Sequence, residues 1–311
     1  MASKKRKLIT FDWALKKLLR SKANFDVLEG FLSELLVEDI KIIEILESES
    51  NKESEDDKLN RVDIKVKNAK EEIVLIEIQH SRDIDYLQRI SYAVSKTIVE
   101  HLEEGEVYGK IPAVICISIL YFALGQGDDY IYDGTTVFRG RHQKDLLQLD
   151  DSHKKHFSEK QTVSDFFPQF HHLKINSFDD VARDTLDEWI YFLKNEEIKD
   201  DFTAKGLKKA KETLDVMRLS TEERETYFRY LEEVRRQKTL YRSSYVDGML
   251  KGREEGREEG REEGRLEGEQ IGIEKTAVNL LDILDDNTIS KKTGLPLERI
   301  TELRKKESTE S

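Results

Sequence analysis

Arg61-Val62-Asp63-Ile64-Lys65-Val66 and Ile73-Val74-Leu75-Ile76-Glu77-Ile78-Gln79, separated by the polar stretch Lys67-Asn68-Ala69-Lys70-Glu71-Glu72, decide the fold of this chain. Both runs alternate apolar and polar residues, the period-2 pattern of strands buried on one face. The stretch between them is short enough to close a hairpin. Folding that ribbon about Lys70 sets Asp63 directly opposite Glu77. Val62, Ile64 and Val66 then share a face with Val74, Ile76 and Ile78, while Asp63, Lys65, Glu77 and Gln79 share the other. A slip of one residue would bury the acids and expose the aliphatics, so the pattern selects this register. Directly opposed Cβ atoms lie about 4.5–5.5 Å apart. Two carboxylates that close repel unless a cation or a proton lies between them. A divalent cation with oxygen ligands meets that need; a solvated polar strand face is the plainer reading of the same residues.

Working outward, residues 11–20 and 25–36 repeat apolar positions at three- and four-residue spacing and read as amphipathic helices, with Asp26 in the first turn of the second. Residues 38–47 have strand character, and 48–58 are polar and read as a loop. After the hairpin, 84–104 reads as a helix stopped at Gly105. Residues 113–122 are continuously apolar, as a strand buried on both faces is, and so central in a sheet. From about 179 to 249 the chain reads as helical, with Leu186, Trp189, Ile190 and Leu193 on one stripe. Gly248, Gly252, Gly256, Gly260, Gly264, Gly268 and Gly272 then recur every fourth residue, mostly with Arg-Glu-Glu between them. Each glycine costs a helix about 1 kcal/mol relative to alanine, so this segment reads as a marginal helical spacer. Beyond it, 287–300 suggests helix, turn, helix about Thr293-Gly294-Leu295. The expected division is 1–178 for an α/β domain, 179–247 for a helical region, 248–275 for the spacer and 276–311 for the tail.

A chain of 311 residues can bury a sizeable core. Its single cysteine, Cys116, lies within the apolar strand, so no disulfide framework exists and a reducing cytoplasm is expected. No stretch reaches the ~20 apolar residues that span a bilayer, and no membrane partner is expected. The net charge of −12 opposes indiscriminate nucleic-acid binding, yet residues 1–22 hold eight Lys/Arg against one acid, and Lys4-Lys5-Arg6-Lys7 reads as a basic arm. The histidines form no zinc pattern. A nucleotide-binding glycine loop and Ser-His-Asp spacing are both absent, so no organic cofactor is expected.

Asp63 followed by Glu77-Ile78-Gln79 within strands resembles the PD-(D/E)XK nuclease core and, more narrowly, the Rpn family of recombination-promoting nucleases and transposases. The resemblance extends over Phe11-Asp12-Trp13-Ala14-Leu15-Lys16-Lys17-Leu18-Leu19 and Val27-Leu28-Glu29-Gly30-Phe31-Leu32-Ser33-Glu34-Leu35-Leu36. It continues through Leu87-Gln88-Arg89-Ile90-Ser91-Tyr92, Gly105-Glu106-Val107-Tyr108, Asp187-Glu188-Trp189-Ile190-Tyr191-Phe192-Leu193-Lys194 and the glycine-periodic tail. It implies an α/β fold, a restriction-endonuclease-like mixed-sheet core in the order α-β-β-β-α-β, followed by an all-helical C-terminal region and an extended helical tail. It also implies a Mg²⁺-dependent DNA endonuclease, with Mn²⁺ as a substitute, that promotes recombination or transposon mobility. In that reading Asp63, Glu77 and Gln79 are catalytic. The metal is held by Asp63, Glu77 and Glu29, with Asp12 and Glu34 as alternatives to Glu29 and the carbonyl of Ile78 as a further ligand. DNA and a second copy of the chain are the implied partners. Gln79 stands where many of these nucleases carry lysine and cannot supply its charge; Lys65 is a substitute on the same face, and Arg89 could meet phosphate or brace the acids. The alternative is an inactive DNA-binding or assembly protein that keeps the core.

Overall fold

The computed structural model describes residues 8–17, 22–46, 63–102 and 105–310. The basic arm, the 48–58 loop and the expected face position of Val62 lie outside the described residues.

Two helices open the chain, α1 (Phe11–Lys17) and α2 (Phe25–Leu36). Strands β1 (Ile42–Leu46), β2 (Ile64–Asn68) and β3 (Ile73–Gln79) follow, then α3 (Tyr86–Glu100) and β4 (Val114–Leu120). The hairpin takes the register that its hydrophobic pattern demands: Ile64 pairs with Ile76, Lys65 with Leu75, Val66 with Val74 and Lys67 with Ile73. The crossover through α3 makes β4 parallel to β3, with Glu77 beside Ser118 and Gln79 beside Leu120.

Two further strands, unexpected from the sequence, complete the sheet: β5 (Ile131–Gly134) and β6 (Gln169–Lys174), with the short helix α4 (Asp151–His156) between them. Among the described residues the sheet has six strands in the order β1-β2-β3-β4-β6-β5. β5 is only four residues long, and β6 reads Gln-Phe-His-His-Leu-Lys, with no clean alternation. Their strand character comes from pairing with β4 and with each other, a tertiary cause.

Each face of the sheet has its own cover. Ile64, Val66, Val74, Ile76, Ile117 and Ile119 pack with α1, α2 and the helices α5 (Thr185–Asn195) and α6 (Leu207–Thr213) in the main core. Phe11, Phe31, Trp189 and Phe192 meet there edge to face at 5.5–6.3 Å. On the opposite face Ile90, Ala93 and Val94 of α3 cover Ile73, Leu75, Val114 and Cys116. The helices α2 and α6 approach so closely that a Cβ on Gly30 would meet Gly206 Cα at 2.6 Å. Gly206 itself adopts φ +81°, the left-handed region that glycine enters freely.

The chain forms two compact units, 1–238 and 239–311. Helix α7 (Thr221–Leu280) begins in the first, where Tyr227 is fully buried. All seven periodic glycines lie within α7, and a Cβ at any of them would meet nothing within 4 Å. In the second unit the end of α7, α8 (Asp286–Thr293) and α9 (Leu297–Glu310) bury Ala277, Leu281, Ile289 and Ile300. Gly294, at φ 76°, ends α8 and forms the turn into α9. No described helix is long and apolar enough to cross a membrane.

Candidate active site

The acidic end of the hairpin lies beneath α3, not in open solvent. Lys65 is 8 % exposed and its Nζ donates to Glu100 Oε2 at 3.0 Å, so it is committed to α3. Asp63 stands one residue before β2, and its Oδ2 accepts the Ile78 N–H at 2.6 Å, adding a side-chain rung to the ladder. Extending the observed register by one residue places Asp63 opposite Glu77.

Glu77 is 4 % exposed. A buried carboxylate needs a counter-charge with good geometry, and α3 provides one. Arg89 Nη1 donates to Glu77 Oε1 at 2.7 Å, Nη2 to Gln79 Oε1 at 3.2 Å and Nε to Asp83 Oδ2 at 3.2 Å. The guanidinium also lies 5.3 Å from the Tyr86 ring centroid. Burial works against its charge, but the hydrogen bond and proximity of Glu77, with Asp83 beside them, outweigh that and raise its pKa. Glu77 and Gln79 thus share Arg89 at the carboxyl end of β3, where the Asp63 carboxylate accepts the N–H of Ile78 between them.

Glu29, the expected third metal ligand, has other partners. It sits on α2, in the cover of the other face. Its Oε1 accepts the Ile42 N–H at 2.9 Å and its Oε2 accepts Lys41 Nζ at 2.9 Å. Its work is to hold the start of β1. The alternatives also have partners of their own: Glu34 receives Thr185 Oγ1 at 2.6 Å and the Lys205 N–H at 2.7 Å. Asp12 is buried with His80 Nε2 at 3.1 Å and the Tyr230 hydroxyl donating to it.

The sheet places other polar residues in line with Glu77. Ser118 is beside it on β4, His172 beside Ser118 on β6, and Tyr132 beside His172 on β5. With strands about 4.8 Å apart, His172 lies about 10 Å from Glu77 along this row. Tyr86 of α3 covers it, edge-on to His172 at 6.5 Å. Burial, then His171, lowers the His172 pKa and favours its neutral form; burial raises that of Tyr86. Sequence reasoning missed Tyr86, Ser118 and His172 as neighbours of the site. The available signal was Ser118, the single polar side chain in the apolar run of β4.

Among the described residues no group of three or more His, Cys, Asp or Glu is gathered to hold a metal ion. The candidate donors at this end of the hairpin are all oxygens, from the carboxylates of Asp63 and Glu77 and the amide of Gln79. Glu77 and Gln79 already direct theirs at a single cationic group. Such a set fits a hard divalent cation that keeps water in its remaining positions.

A family model described as PD-(D/E)XK nuclease family transposase matches residues 9–243. No curated protein and no solved structure matches the chain.

Proposed function

The chain belongs to the PD-(D/E)XK nuclease family transposases, and from that premise we propose that it is a divalent-metal-dependent DNA endonuclease. What supports this reading is that Glu77 and Gln79 turn their oxygens to one cation, with the Asp63 carboxylate held by the N–H of Ile78 between them. Asp63 and Glu77 would hold Mg²⁺, or Mn²⁺ in its place. The bound ion would lower the pKa of a water and offset charge on the scissile phosphate.

The remaining work falls to the chain's own groups. The Ile78 N–H holds the Asp63 carboxylate at the mouth of the hairpin. Gln79 can orient a water or a phosphate oxygen through its amide, without adding charge. Lys65, the candidate substitute for the family's lysine, is paired with Glu100. Breakage of both strands would favour two such sites, and so two copies of the chain. The biological setting in this reading is recombination or element mobility.

Cleavage of supercoiled plasmid by the wild type and by Asp63→Ala, across Mg²⁺, Mn²⁺ and Ca²⁺, tests the reading. Nicking that needs Mg²⁺ or Mn²⁺ and falls by at least ~100-fold in the variant is the expected result, several kcal/mol of lost stabilisation. Equal cleavage by the two proteins would overturn it.

A further inference from the structure

Arg89 places a permanent positive charge on the same two side chains that the nuclease reading assigns to the metal site. Its guanidinium holds Glu77 Oε1 through Nη1 and Gln79 Oε1 through Nη2, while Nε stays on Asp83. The Glu77 side chain is 5 % exposed and that of Arg89 27 %, so the contact is largely shielded from water and from salt. A guanidinium does not deprotonate in a protein. A divalent ion drawn to the same two side chains would therefore face a fixed positive charge at hydrogen-bonding distance, and the two cations repel each other there.

We propose that Arg89 is a built-in counter-cation: it holds Glu77 and Gln79 in position in the metal-free protein and is displaced from them when a divalent metal binds. This rests on the nuclease reading and adds a competition to it. The geometry supports exchange without unfolding. Asp83 is contacted by Nε, at the root of the fork, so the two Nη groups can leave Glu77 and Gln79 while the side chain stays tethered. Asp83 is itself a third exposed and can follow that movement. Glu77 would pass from one cation to another and never stand buried and uncompensated, the state that is costly in a protein interior. Arg89 is on this account a positioning residue, acting through Glu77 and Gln79.

The test is Arg89→Met in the full chain, read by calorimetric Mg²⁺ titration and by thermal unfolding in EDTA and in Mg²⁺, without DNA. The metal-free variant is expected to melt several degrees below the wild type. Mg²⁺ is expected to recover more of that loss than it adds to the wild type, and its Kd in the variant should be about tenfold tighter, within the usual range of coupling between two sites. A purely structural arginine predicts the opposite, a distorted site that binds Mg²⁺ equally or more weakly, and that outcome overturns the proposal. If Arg89→Met does not fold, Arg89→Lys carries the test. A point-like ammonium cannot bridge both oxygens as the fork does, so Mg²⁺ should still bind more tightly than in the wild type; equal or weaker binding again overturns it. Mg²⁺ binding by none of these proteins would instead overturn the metal-dependent reading itself.

Discussion

Glu77 shows how a fold can bury a charge and supply its partner from a different element. Its strand places it under α3, and the arginine one turn into that helix reaches back to it. The same row makes a pH-dependent prediction. His172 has its pKa lowered from 6.5 by burial and then by His171, so folding favours the neutral ring. Its contribution to stability is therefore present above pH 6.5 and lost as pH falls through the lowered folded value. Thermal unfolding of the wild type should lose stability between pH 7 and pH 5, and His172→Phe, which keeps an aromatic ring beside Phe170 and Tyr86, should lose less. Identical pH profiles would remove His172 from that role. At this scale the acids were legible, as was Arg89 as a group that could brace them, but its individual contacts were not. Asp63 and Glu77 can be paired from alternation alone. The contacts of Arg89 and the row through Ser118 and His172 depend on how α3 docks and how β4 and β6 register, which no local pattern encodes.

At the scale of elements, the hairpin was readable because a period of two and a short polar turn leave one register that buries the aliphatics. The helix at 25–36 was readable because its apolar positions fall on one face. The edge region beyond β4 was not, since β5 and β6 gain strand form only through their neighbours. Also invisible was the crossing of α2 and α6, where Gly30 and Gly206 let two backbones touch. A methyl group at Gly30 would overlap Gly206 Cα and the Lys205 carbonyl, which are backbone atoms and yield only if the helices part. Gly30→Ala should therefore destabilise the protein by about 1–3 kcal/mol despite alanine's better helix propensity. Denaturant unfolding measures this directly, and a more stable variant would show that the helices are free to separate.

For the whole molecule, Tyr227 and Tyr230 of α7 join the C-terminal helical region to the N-terminal helix α1. The Tyr227 hydroxyl accepts the Thr10 N–H at 3.2 Å, its ring meets Trp13 at 5.4 Å, and Tyr230 donates to the buried Asp12. A chain ending at residue 238 keeps these contacts and one ending at 226 loses them all. The shorter chain should lose roughly 3–5 kcal/mol, the cost of emptying a buried aromatic site, with the stranding of Asp12 added. Circular dichroism melts of the two truncations check this; coincident melts would show that the contacts contribute nothing. The tail itself was legible as a repeat, but not its continuity with the helix that closes the core, because seven glycines argue against a helix on propensity alone.

The pairing of Thr10 and Asp12 with Tyr227 and Tyr230 also sets an order on synthesis. The first helix leaves the ribosome more than two hundred residues before its partners do. The nascent chain must carry Asp12 and its apolar neighbours without their final cover until α7 has begun to emerge. Translation of the helical region is thus the event that completes the first compact unit, and a chain released early is left with an open end.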